Sequence, residues 1–133
     1  MKKLQDMIFP SDRTYTVDHG WAKPENGKVK IGISDYAQSE LGEIVYVDLP
    51  EIGRSVLRDG EYGTVESAKS VSGLRMPVGG RVTAVNSALA DSPRLVNESP
   101  YDTGWIVEIA PDNPDEFNSL MTAQTYLAML QGK

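Results

Sequence analysis

Lys69 is the residue of this chain best placed to do chemistry. It stands in Gly63-Thr64-Val65-Glu66-Ser67-Ala68-Lys69-Ser70-Val71-Ser72-Gly73, a lone lysine among small residues, where Val65, Ser67 and Val71 follow a strand-like alternation. Met76-Pro77-Val78-Gly79-Gly80-Arg81-Val82 comes shortly after. Two β-type arms meeting at Ala68-Lys69 predict a hairpin that presents one amine to solvent. An amine held this way can accept a covalent group. A tight turn fixes the base of the arm, the lysine stem supplies reach, and small flanking side chains let a modifying enzyme approach. Taken alone, a lysine in a turn is also an ordinary surface residue.

The other candidates are weaker. His19 is the only histidine and the chain has no cysteine, so no nucleophilic triad, disulfide or thiolate metal site is available. A structural or cleft-lining place is expected for His19, with no catalytic residue and no metal. Gly79-Gly80 fits a turn between strands, because neither a Walker pattern nor G-x-G-x-x-G surrounds it. Asn97-Glu98-Ser99 matches a glycosylation sequon, but no secretory signal accompanies it. Asp48, Glu51, Asp59 and Glu61 precede the hairpin and form either an acidic docking face or dispersed solubilising charge.

The elements around the lysine follow from pattern. At 133 residues, 40% hydrophobic and 24% charged, the chain fits one soluble globular domain. Residues 1–12 read as an arm and 13–133 as the domain. The net charge of −6 argues against nucleic acid, which needs clustered Lys or Arg. No apolar run is long enough for a membrane span, and no signal-like segment opens the chain, so a cytoplasmic place is expected. Residues 14–34 alternate as strands around Pro24-Glu25-Asn26-Gly27, where Asn-Gly signals a hairpin. Ser34 should cap a short helix from Asp35 to Leu41, with Gly42 as its stop. Ile44 to Val47 reads as a mostly buried strand, Asp59-Gly60 as a turn, and Arg81 to Val85 as a strand. Asn86 to Asp91 is a helical turn, Pro93 and Pro100 bound a loop, and Trp105 to Ile109 is the last strand. Trp21 and Trp105 should be core residues. Asn113, Pro114 and Glu116 predict a capping-box start to a helix with an apolar stripe of Phe117, Leu120 and Met121. Thr122 should cap a second helix carrying Tyr126, Leu127 and Leu130. Short strands with Gly and Pro turns followed by helices give a mainly β fold, a sandwich or barrel.

The hairpin resembles the lipoyl-attachment hairpin of glycine cleavage H proteins, whose usual form is close to E-S-V-K-A-x-S-D followed by S-P-V-S-G. Tyr15-Thr16-Val17-Asp18-His19-Gly20-Trp21 is similar to that family's Y-T-x-x-H-E-W, and the run from Lys30 to Gly42 to its V-G-I-T-x-x-A-Q-x-x-L-G. Glu43 to Pro50 with Gly53, Leu95-Val96-Asn97, Pro100-Tyr101 and Gly104-Trp105-Ile106 continue the likeness in order over roughly residues 13–131. The resemblance implies a barrel-sandwich hybrid, lipoyl- or biotinyl-like, with a short internal helix and C-terminal helices. It implies a non-catalytic carrier with lipoate bound covalently to Lys69, attached by a lipoate-attaching enzyme that reads Glu66 as part of its recognition surface. Biotin is the weaker alternative, since biotinyl hairpins read M-K-M where this chain has Ala68-Lys69-Ser70.

Two positions depart from the family. Its members are expected to hold an aminomethyl cargo with a glutamate in H-E-W and an aspartate four residues after the lysine; here those positions are Gly20 and Gly73, with Arg75 close by. A protonated amine is stabilised by charge-assisted hydrogen bonds to carboxylates, which two glycines cannot provide. On that ground the sequence favours the divergent lipoate-binding proteins of sulfur oxidation, shuttling a sulfur-bound intermediate for a heterodisulfide-reductase-like complex. The alternative is a glycine cleavage system H protein carrying aminomethyl among glycine decarboxylase, aminomethyltransferase and dihydrolipoyl dehydrogenase. A lipoyl relay protein and an unmodified interaction module complete the alternatives.

Overall fold

A computed structural model describes residues 3–132. The first two residues of the expected arm and the last residue of the expected domain lie outside them. The described chain forms strands β1 (Thr14–Tyr15), β2 (Gly20–Glu25), β3 (Lys28–Ile33), β4 (Ile44–Asp48), β5 (Ser55–Val56), β6 (Glu61–Ser67), β7 (Val71–Arg75), β8 (Gly80–Val85) and β9 (Val107–Pro111). Helices are α1 (Asp35–Leu41), α2 (Leu95–Glu98) and α3 (Ala123–Leu130), with short 3-10 segments at Leu4–Asp6, Ser87–Ala90 and Pro114–Ser119. The strands pair antiparallel in a six-stranded sheet, β1-β2-β3-β9-β8-β5, and a three-stranded sheet, β4-β6-β7. The mainly β sandwich is as expected.

Alternation in the strands builds the core. Val29, Ile31 and Ile33 of β3 meet Tyr62 and Val65 of β6, Leu74 of β7, and Val107 and Ile109 of β9 in one buried cluster. A second cluster is aromatic: Tyr15, Trp21 and Tyr126 are buried, and Phe9 of the N-terminal segment packs edge-on against Tyr15 and Tyr126. It fastens that segment and α3 to β1 and β2. Among the described residues, no helix is long and apolar enough to cross a membrane.

Local signals place the elements that frame the lysine. Asn26 and Gly27 both take positive φ, 53° and 80°, as a two-residue hairpin turn of this kind requires. The Ser34 hydroxyl accepts from the Ala37 amide and caps α1, and Gly42 ends it at φ 81°. The Thr122 hydroxyl accepts from the Thr125 amide and starts α3.

Four expectations need correction. β4 is not mostly buried: Val45 and Tyr46 are about half exposed, because a register shift between Ile44 and Tyr46 turns them outward. The stretch between Pro93 and Pro100 is not only loop but holds α2. The last strand starts at Val107, after a half-buried Trp105 over which Lys30 Nζ sits 5.1 Å from the ring centroid. The segment after Asn113 is a 3-10 helix capped by the Asn113 side chain, and Glu116 accepts from the Gly79 amide at 2.8 Å instead of closing a capping box.

Candidate functional site

The hairpin carrying Lys69 is β6–β7, in register Thr64↔Gly73, Val65↔Ser72 and Glu66↔Val71. Ser67 closes it. Its amide donates to the Ser70 carbonyl at 2.8 Å, and its buried hydroxyl accepts from the Ser70 amide at 3.2 Å and the Lys69 amide at 3.4 Å. Serine is suited to this place because a short hydroxyl can bond backbone amides within a turn. The base of the lysine is therefore fixed while Ala68, Lys69, Ser70 and Val71 stay exposed.

The side chain lies against the end of α1. A Cβ on Gly42 would sit 3.6 Å from Lys69 Cε, so the stem crosses the glycine that ends the helix. Asn97 of α2 supports the same corner. Its Oδ1 accepts from the Ile44 amide at 2.8 Å, and its Nδ2 donates to Gln38 Oε1 and the Gly42 carbonyl, each at 2.9 Å. The sequon nitrogen is thus used inside the fold. An open groove of about 370 Å³ runs between α1 and α2, lined by Gln38, Gly42, Glu43, Arg94, Asn97 and Glu98.

On the other side of α1 a recess of about 40 Å³ is lined by Asp18, Gly20, Gly32, Ala37, Leu41, Ser72, Gly73 and Arg75, among others. The structure brings Gly20 and Gly73, far apart in sequence, to one small cavity. Glu66 lies on β6 between Tyr46 of β4 and Val71 of β7, so the lysine is flanked by an acidic and partly apolar outer surface. Asp48 and Glu61 belong to the same sheet, but arginines reach among the acids. Arg75 donates to the Asp59 carbonyl at 3.3 Å and Arg54 to the Glu61 carbonyl at 3.5 Å. Dispersed charge describes this region better than an acidic face.

His19 has a structural place. It takes a left-handed backbone, φ 70°, and its Nδ1 is hydrogen bonded to Tyr126 Oη at 2.8 Å, which in turn meets Ser34 Oγ at 2.8 Å. Burial pushes the His19 pKa down, opposed by Asp18 and Glu40, so the ring favours its neutral form. Among the described residues, no group of His, Asp or Glu could hold a metal ion. Sequence reading missed Asn97 as a support, the contact of Gly42 with the lysine stem, and the outward Tyr46. None of the three carries a local signal, since each depends on which elements meet.

The family model described as glycine cleavage H-protein matches residues 13–133. The glycine cleavage system H protein of Oceanobacillus iheyensis is 48% identical over 125 residues, covering 94% of this chain and 99% of the relative. That of Chlorobium phaeobacteroides is 50% identical over 121 residues, covering 90% of this chain and 95% of the relative. The crystal structure of a glycine cleavage system H protein from Mycobacterium marinum superposes with a TM-score of 0.83 at 37% identity, over 93% of this chain and 99% of that one. The barrel-sandwich fold agrees with this likeness. The sulfur-oxidation reading and its heterodisulfide-reductase-like client gain no support here; the aminomethyl alternative does.

Proposed function

The chain belongs to the glycine cleavage H-protein family, and from that premise we propose that it carries aminomethyl between glycine decarboxylase and aminomethyltransferase on a lipoyl group attached to Lys69. Members of the family are non-catalytic carriers with lipoate bound covalently to a lysine. The observation that carries the assignment to Lys69 is its place at the exposed tip of a hairpin whose base is locked by Ser67.

The local residues fit an acylated lysine. Ala68 and Ser70 leave the amine approachable, and Glu66, Tyr46 and Val71 offer an enzyme a charged and apolar surface beside it. The dithiolane of lipoate supplies a strained disulfide that opens to nucleophiles and electrons, because a five-membered ring cannot reach the preferred dihedral of about 90°. The protein holds the root of the arm still, offers the recess at Gly20 and Gly73 as a place for the arm's end, and presents the arm to each partner in turn. The proposed partners are the lipoate-attaching enzyme, glycine decarboxylase, aminomethyltransferase and dihydrolipoyl dehydrogenase. We take residues 13–133, the span of the family match, as the carrier domain.

The test is intact mass after incubation with a lipoate ligase. Wild type should gain one lipoyl group, and Lys69→Arg, which keeps the charge, should gain none. Modification of the Lys69→Arg variant would reject the assignment.

A further inference from the structure

Glycine stands at positions 20 and 73, where the family resemblance implies carboxylates, and this is the main feature at odds with the cargo chemistry proposed above. Its weight depends on whether negative charge is missing from the place or only from those two positions. An aminomethyl group is a protonated amine near neutral pH, so a carboxylate beside the end of the folded-back arm stabilises it.

A Cβ built on Gly73 would run into the carboxylate of Glu61. The carboxyl carbon lies 3.1 Å from that point and Oε1 lies closer still. The Glu61 side chain therefore fills the volume into which a side chain at position 73 would project. The strand geometry puts it there. Glu61 is opposite Arg75 and Gly63 opposite Leu74, and the register shift between these pairs places two further residues of β6 against one step of β7. Such a bulge re-aims a side chain along the ladder. Glycine at 73 is what allows the carboxylate to lie on the β7 backbone.

The carboxylate is also available. Arg75 is its cross-strand neighbour, but the Arg75 guanidinium donates to the Asp59 carbonyl, and Arg54 reaches the Glu61 backbone carbonyl. Among the described residues, none of the ion pairs engages Glu61. Gly73 is four residues from Lys69, no more than about 14 Å of extended chain, which is within the span of a lipoylated lysine folded back along β7. Beside Gly73, the recess of about 40 Å³ exceeds the roughly 10–15 Å³ that one water needs, so it admits a group of aminomethyl size. Asp18 and Arg75 both line the same recess, so the recess itself carries one charge of each sign and Glu61 stands outside its lining.

We infer that Glu61 provides the carboxylate that holds the cargo amine, in place of one at position 73. The inference rests on the aminomethyl reading. It assigns Glu61 a role that its place on the outside of β6, before the lysine motif, does not announce.

The experiment loads lipoylated wild type, Glu61→Gln and Glu61→Ala/Gly73→Asp, in which alanine vacates the space the new aspartate enters, from isotopically labelled glycine with glycine decarboxylase. Adduct lifetime is measured after the enzyme is removed, together with the NMR shift of the Gly73 amide on loading. Glu61→Gln is an exposed, isosteric change, and an unfolding curve like that of wild type checks its fold. The adduct should decay roughly threefold to tenfold faster in Glu61→Gln, as expected for one charged hydrogen bond at a partly solvated site. The double variant should recover the wild-type lifetime. The Gly73 amide should shift on loading in wild type and stay still in Glu61→Gln. Equal lifetimes with an unmoved Gly73 amide in all three would make Glu61 a solvated surface charge and overturn the inference alone. A wild type that takes up no label would overturn the aminomethyl reading, and this inference with it.

Discussion

Asn97→Ala should destabilise the protein through three hydrogen bonds lost at the corner that supports the lysine. The side chain bonds the Ile44 amide, Gln38 Oε1 and the Gly42 carbonyl at 2.8–2.9 Å. It thereby joins α2, the end of α1 and the start of β4. Each such bond has a net worth of about 0.5–1.5 kcal/mol, so the three together span about 1.5–4.5 kcal/mol. The groove between α1 and α2 is open at Asn97, so water will satisfy part of what is left behind. The expected loss is therefore about 2 kcal/mol, read as a lower urea midpoint at unchanged slope. Asn97→Asp is the informative control. It keeps the acceptor for the Ile44 amide but sets a carboxylate against two oxygens, Gln38 Oε1 and the Gly42 carbonyl, and should be no more stable than Asn97→Ala. A loss below about 0.5 kcal/mol in the alanine variant, well under the sum worked here, or a wild-type-like Asp variant, refutes the bonding account.

Three further outcomes can be checked with the same methods. Gly42 has φ 81° and ψ −166°, a region nearly closed to other residues, so Gly42→Ala should cost about 1–3 kcal/mol in urea unfolding. Its Cβ would make only ordinary contact with Lys69 at 3.6 Å, so intact mass should still show lipoylation by a ligase. Leu120 packs on the core but is only partly buried, so Leu120→Ala should cost about 1–2 kcal/mol, below the 2–5 typical of full burial. A measured loss above about 3 kcal/mol would mean that Leu120 is buried more deeply than that partial burial implies. The folded pKa of His19 is lowered from 6.5, so the unfolded chain binds the proton first. Its contribution is full above about pH 6.5 and lost as pH falls below that towards the folded value. Urea midpoints between about pH 7.5 and pH 5.5 should fall more steeply for wild type than for His19→Asn, a residue that tolerates the left-handed backbone. Equal slopes would exclude His19 as the source.

What the sequence made legible was local. The Asn26-Gly27 turn, the Ser34 and Thr122 caps and the lysine hairpin each depend on a few neighbouring residues whose chemistry allows little else. What it hid depended on distant partners. The run Ile44-Val45-Tyr46-Val47 reads as buried from hydropathy, but a bulge opposite β6 turns its middle outward. Glu116 has the spacing of a capping box, yet the Gly79 amide is the donor it meets, because β8 begins beside the Pro114–Ser119 turn. Asn97 looks like a sequon residue until α1 and β4 are placed around it.

The same distinction governs the functional reading. Two glycines at motif positions read as an absence of charge, and that absence points towards a sulfur cargo. A cation responds to where a carboxylate stands, not to which residue number carries it. β6 and β7 are paired so that position 61 reaches the space above position 73, and only a glycine there leaves that space free. The substitution that weakens the motif is thus the one that makes room for a neighbour's charge. A missing motif residue is evidence about a site only after its spatial neighbours are known. On the aminomethyl reading, Glu61 would keep a carboxylate over position 73, where a side chain at that position would itself have stood.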